Sequence, residues 1–352
     1  MAASEGRWHF LDTLYVTART VGFAAIGGGA FMLLGFPAPL IGGGMLAVVV
    51  ATLSGVRVQV PLPLRDLVFF ILGISIGSAL SPESLAGVVK WPTSIVLLIL
   101  GIPLVTVGAG LLLMRRGWPR EDALLATAPG ALATILILAD ALGANVSRIA
   151  LVQTLRLAIL VIVLPLLIGL YTDIPALPTG GNGAAPLDAM ELLLVVGAGL
   201  AGTVVAKLLR LPAPSLIGAM LGSGPLYLGG FLTAPVPNSI LIPSLMVVGG
   251  YIGSRFAGMT MASIRAGLVD GLYAFVAAFA ISVALAGLVT LLVGISFAET
   301  VLAFAPGGFE VMIVIAFSLG LDAAYVALHQ TVRFLVIAMT APIYFRRPSK
   351  RR

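Results

Sequence analysis

Residues 128–156 read APGALATILILADALGANVSRIALVQTLR. The passage returns at residues 305–333 as APGGFEVMIVIAFSLGLDAAYVALHQTVR, ungapped at an offset of 177 and identical at 11 of 29 positions. The identities include the opening Ala-Pro-Gly, the central Gly143/Gly320 and the closing Gln-Thr-x-Arg. Each copy places a helix breaker inside one apolar run and an arginine inside the next. Within a bilayer both are costly, because freed backbone groups and a charge must find partners away from water.

The duplication extends outward. Pro37-Ala38-Pro39, with Gly43 and Met45 behind it, returns as Pro212-Ala213-Pro214 with Gly218 and Met220, and Ile76-Gly77-Ser78 returns as Ile252-Gly253-Ser254. Three blocks in one order, at offsets of 175 to 177, make two related halves of about 160 residues each.

Composition gives the class. The chain is 60% hydrophobic and 10% charged, with 42 glycines and a mean hydropathy of +1.14. Soluble domains carry about 25% charge, and continuous apolar runs of this kind mark helical spans rather than barrel strands. The net charge of +6 reads as basic residues gathered on cytoplasmic loops, not as a nucleic-acid surface. The absence of cysteine excludes disulfides, thiolate metal sites and thiol nucleophiles. The first residues, MAASEGRWHFLD, lack a signal-peptide pattern, so the first apolar run is expected to be a retained helix.

Apolar runs fall at 13–36, 38–54, 66–80, 92–114, 121–143 and 147–170, and again at 188–210, 213–230, 240–256, 266–293, 297–320 and 323–345. Charge decides their orientation. If all six runs per half crossed, Arg148, Lys207, Arg210, Arg255 and Arg265 would lie outside with Lys90, against the positive-inside rule. If the fifth run dips in and returns, each half crosses five times and the second half is inverted. Lys90 is then the one basic loop residue left outside, and Arg156 and Arg333 lie within the membrane. The expected fold is therefore an all-α polytopic membrane protein of two inverted repeats, each of about five transmembrane helices plus a re-entrant or broken helix. Its expected parts are a cytoplasmic tail (1–12), repeat 1 (13–170), an extracytoplasmic linker (171–187), repeat 2 (188–345) and a basic cytoplasmic tail (346–352). Both termini are expected in the cytoplasm of a cell whose inner (plasma) membrane holds the chain.

The breaks at Pro129-Gly130 and Pro306-Gly307-Gly308 free N–H and C=O groups at membrane depth. In inverted-repeat transporters, such broken helices build the solute site near the midplane. A plain proline kink is the alternative, weakened here because the break is repeated and fixes the topology. Gln153 and Arg156, like Gln330 and Arg333, are three apart and share a helix face, which His329 joins. Two readings of the arginines stand side by side. They bind an anion or a carboxylate, or they tie off the carbonyls freed by the neighbouring breaks. Glu310, three residues after Gly307, either couples proton movement with His329 and Arg333 or forms a fixed ion pair with Arg333. Asp140, Asn145 and Asp322 suit capping or solvation at hairpin ends, and Asp270 is a weaker candidate. Gly27-Gly28-Gly29 and Gly42-Gly43-Gly44 read as close helix packing rather than phosphate loops. Two histidines and no cysteine leave too few ligands for a catalytic metal centre.

At these motifs, the duplicated APG…QTxR and the PAP segments followed by Gly and Met, the chain resembles the AbrB family of bacterial integral membrane proteins over residues 15–345. Members carry labels such as transcriptional regulator and ammonia monooxygenase; the scarcity of metal ligands weighs against the second. The family shares only a name with the small DNA-binding transition-state regulators. It is similar to the cation:proton antiporter and anion transporter superfamily, which implies inverted five-helix repeats and secondary transport. The resemblance brings no catalytic residues. The expectation is a secondary transporter-like protein, not an enzyme, without a cofactor. It moves a small solute, anionic because two arginines face the core, by alternating access. A membrane-embedded regulator or sensor acting on gene expression through a partner is the rival. The expected site lies between Thr127, Pro129, Gly130, Thr134 and Pro306, Gly307, Gly308, Glu310, lined by Gln153, Arg156, His329, Gln330 and Arg333. The expected partners are the lipid bilayer, the solute with a coupled proton or cation, and further copies of the chain, with no direct nucleic-acid contact.

Overall fold

The structure, a computed structural model, describes residues 2–80, 87–130, 132–172 and 188–344. The tail expected at 346–352, and the linker expected at 171–187 except its first two residues, lie outside them. The described residues form fourteen α-helices and a 3-10 turn at Gly87–Lys90. The first seven helices are α1 (Ala2–Leu33), α2 (Pro39–Leu53), α3 (Leu62–Ser78), α4 (Trp91–Arg115), α5 (Arg120–Thr127), α6 (Leu132–Leu142) and α7 (Val146–Gly169). The second seven are α8 (Ala189–Leu208), α9 (Pro214–Leu228), α10 (Asn238–Ser254), α11 (Met261–Val293), α12 (Phe297–Phe304), α13 (Phe309–Ser318) and α14 (Ala323–Tyr344). Six helices are long and apolar enough to cross a bilayer: α1, α4, α7, α8, α11 and α14. The protein is a polytopic all-α membrane protein.

One boundary differs from the sequence reading. Helix α1 begins at Ala2, inside the stretch expected as a tail, because no breaker precedes the apolar run. The second and third helices of each half are short: α2 and α9 have 15 residues, α3 and α10 have 17. About 20 residues span the hydrocarbon core.

The two halves match helix by helix and share their backbone irregularities. Ala38 and Ala213 are left-handed (φ 48° and 44°), each just before the proline that opens α2 or α9. Positive φ recurs at Gly35/Arg210, Gly55/Gly230, Gly117/Gly294 and Gly143/Gly320. Helices α5 and α12 both have eight residues and end at an alanine in extended geometry, Ala128 (φ −56°, ψ 125°) and Ala305 (φ −55°, ψ 132°).

The chain divides into two compact units. The first holds Met1–Ala86, Val161–Met261 and Val314–Ala323. Its core is the exchange of α2 and α3 with α9 and α10, made possible by glycines. A Cβ placed on Gly73 would lie 2.4 Å from the Leu216 carbonyl oxygen, and one on Gly77 2.3 Å from the Ser223 hydroxyl, so α3 runs parallel to α9. Gly249 meets the carbonyls of Leu40 and Ile41, and Gly253 meets Met45 and Val48, so α10 runs parallel to α2. The second helix of each repeat thus lies along the third helix of the other. Around this core, α1 packs on α2 through Gly27 and Gly43, and α8 packs on α9 through Gly202, Gly218 and Gly222. The α1–α2 contact is the close helix approach read from the glycine triplets.

The second unit holds Gly87–Leu160, Ala262–Ile313 and Ala324–Arg352. Here the inversion is visible directly. Gly101 of α4 faces Leu285 of α11, Gly108 faces Ile281, and Arg116, just past α4, reaches Asp270. Residue numbers rise along one helix as they fall along the other, so these repeat-equivalent helices are antiparallel.

Candidate functional site

The first break is a hairpin that returns to its starting side. The N–H of Asn145, after α6, donates to the Asp122 carboxylate at the start of α5 (3.2 Å). A run that crossed would separate these residues by roughly 30 Å at 1.5 Å per residue. Asp270 closes the same end. It accepts from Arg116 Nε (2.6 Å), the Trp118 indole N–H (2.9 Å) and Arg148 Nη2 (3.1 Å). Arg148 also stacks over the Trp118 ring at 3.6 Å, and Arg116 lies 4.6 Å from the Tyr273 ring centroid. The end of α4, the start of α5 and the start of α7 are therefore held together. The sequence marked Asp270 only weakly, and nothing in its surroundings pointed to Trp118. Asn145 caps α7 by accepting the Arg148 N–H, the capping role expected of it.

At the hairpin tip the freed carbonyls are met by side chains from α7. The Gln153 amide donates to Leu125 (2.8 Å) and Ala128 (3.3 Å). Arg156 donates to the Thr127 carbonyl (3.2 Å) and to Gln153 Oε1 (3.1 Å). The second copy repeats the scheme from α14. Gln330 donates to the Leu302 carbonyl (3.1 Å), while Arg333 donates to the carbonyls of Ala305 and Gly307 and to Gln330 Oε1. All four side chains are at least 95% buried. The carbonyl-tying reading of the arginines is thus realised in both copies.

That role does not exhaust them. A guanidinium has five N–H donors, and Arg156 Nε is buried without a hydrogen-bond partner. Contacts between the repeats bring the two arginine-bearing segments together. Leu157, next to Arg156, packs on Gly308 of the second break, and Ile337, one turn past Arg333, packs on Gly130 of the first. Each arginine helix bonds its own break and packs on the other. These hydrogen bonds of both guanidiniums go to carbonyl and amide oxygens.

The remaining expected residues take varied places. Thr127 spends its hydroxyl on the carbonyls of Thr106 and Ala123, leaving its own carbonyl to Arg156. Pro129, Pro306 and Gly307 are buried; Gly130, Thr134, Gly308 and Glu310 are half-buried, with Glu310 in the first turn of α13. His329 is fully buried, with both ring nitrogens engaged: Nδ1 lies 2.8 Å from the Tyr325 carbonyl oxygen and Nε2 lies 2.7 Å from Ser94 Oγ. Ser94, one of three hydroxyl-bearing residues in α4, carried no signal in the sequence.

Comparison with known proteins agrees with this architecture. A model of the family described as "Transition state regulatory protein AbrB" matches residues 39–348. The chain is 27% identical over 326 residues to the "Putative regulator AbrB" of Escherichia coli (strain K12), covering 90% of this chain and 91% of that one. It is 30% identical over 292 residues to the "Uncharacterized protein YhjN" of Bacillus subtilis (strain 168), covering 78% and 76%. The family match takes in both breaks and both arginines, and the chain belongs to the AbrB family of membrane proteins.

Proposed function

We propose that the chain is a secondary transporter that binds a small anion beside Arg156 and Arg333 and moves it by alternating access. One observation carries the reading: two buried guanidiniums, one from each inverted repeat, lie against broken helices, each arginine helix packs on the other repeat's break, and Arg156 has hydrogen-bonding capacity left over. Guanidinium matches planar, multidentate oxyanions, and broken helices in inverted repeats are where transporters of other families hold their solutes. Two separately compact units are the parts that alternating access requires.

The test combines binding with flux. Purified protein is screened by thermal shift against acetate, succinate, sulfate and inorganic phosphate, and stabilising anions are followed into proteoliposomes as labelled solutes. Stabilisation and saturable uptake are expected, both weakened at least tenfold in Arg156→Gln and Arg333→Gln variants that still melt cooperatively. Undiminished binding in both variants would remove the arginines from the site. Binding without uptake would favour a membrane sensor.

A further inference from the structure

His329 occupies a place that its repeat mate does not. Val152 stands at the equivalent position, and the chain has one other histidine, His9. The groups facing the ring are Ser94 from α4, Phe304 from α12 and Tyr325 from α14, with Arg333 one helical turn further along α14. The Tyr325 ring lies tilted against it, 4.0 Å between ring centroids.

Donor counting restricts its chemistry. The Tyr325 carbonyl can only accept, so Nδ1 carries a proton. Ser94 Oγ lies 2.7 Å from Nε2 and 2.9 Å from the Trp91 carbonyl oxygen, and it owns one proton for two neighbours. With neutral imidazole the hydroxyl points at Nε2. When Nε2 gains a proton, it donates to Ser94 Oγ, and the hydroxyl proton swings to the Trp91 carbonyl. The second state satisfies all three contacts at once and needs no heavy atom to move. A buried apolar setting built only for neutral histidine would not supply an acceptor chain behind Nε2.

We infer that His329 is a proton-binding site whose occupancy is coupled to the anion beside Arg333, making transport a proton–anion symport. This rests on the anion reading above. The sign follows from charge. A proton on His329 places a second positive charge one helical turn from Arg333, which opposes uptake while the anion is absent. An anion beside the guanidiniums offsets that repulsion, so proton and anion each favour the other's binding, and linkage makes the effect reciprocal. Two ligands that favour each other travel in the same direction.

The test uses full-length His9→Gln protein in nanodiscs, in which His329 is the sole histidine, with 15N-histidine labelling to follow its protonation by NMR. Methanesulfonate and sulfate serve as probes because their charge is constant from pH 5.5 to 8, and thermal shift on the same samples reports binding. The expected result is that a stabilising probe raises the proton affinity of His329 about tenfold. The rise should vanish when Arg333→Gln is added, and Ser94→Ala should lower the affinity by removing the acceptor. If a probe stabilises the protein but the proton affinity does not move, the coupling is wrong and the anion site survives. If neither probe stabilises it, the anion reading falls and the coupling falls with it. A single-proton imidazole across the whole range with probe bound also overturns the proposal.

Discussion

Asp122 and Asn145, 23 residues apart on either side of two helices and a break, are joined by a 3.2 Å hydrogen bond. The bond makes the segment between them a hairpin. Cysteine labelling checks it in cells, since the chain has no native cysteine. Arg120→Cys and Ser147→Cys, both exposed, should react with an impermeant thiol reagent from one side of the membrane. Ser296→Cys, beyond the far end of α11, should react from the other. Positions 120 and 147 on opposite sides would refute the hairpin.

Asp270 is predicted to be the residue on which that end depends. Asp270→Ala leaves two arginines and an indole N–H without their shared acceptor. Charged hydrogen bonds contribute about 1.5–3 kcal/mol each, and the partial exposure of both arginines puts the expected loss toward the lower end, at about 2 kcal/mol. Trp118→Phe, which removes one bond and keeps most of the ring, should cost about 1 kcal/mol. Melting in detergent reads both, and equal losses would mean that the ion pairs contribute little.

The contact between α1 and α2 is predicted to tolerate no side chain at its glycines. A Cβ on Gly27 would sit 2.2 Å from the Gly43 carbonyl oxygen, so the helices must part. Gly27→Ala should lose about 1–3 kcal/mol, the range for overpacking. Gly22→Ala, five residues earlier with nothing within 4 Å, should be neutral or stabilising. A melting comparison of the two variants separates packing from helix propensity.

Arg210 should be better replaced. It is exposed and left-handed at φ 55°, where the first repeat has Gly35. Arg210→Gly removes a conformational penalty of about 1 kcal/mol and should raise the melting temperature. A fall would mean that the arginine makes a compensating contribution through its charge.

The sequence was legible where the physics is local or repeated. Pro129-Gly130 and Pro306-Gly307-Gly308 must break a helix anywhere, and Arg156 and Arg333 must find oxygen partners anywhere in a bilayer. The positive-inside count led to the re-entrant reading that the Asp122–Asn145 bond bears out. The end of α1 was not legible, because loop residues as apolar as Leu34 and Phe36 extend the hydropathy of the first run past Leu33.

Duplication, polytopic helical class, inverted topology and the two broken helices were determined by the sequence alone, since each follows from residue order and charge. Which oxygens the arginines meet, and that each arginine helix packs on the other repeat's break, was decided only by the tertiary structure. So were the hub at Asp270 and the pairing of His329 with Ser94, 235 residues away. The reason is physical: a buried polar group is specified by its partner's position in space. Hydropathy registers only the cost of burying the group, and holds no record of what offsets it.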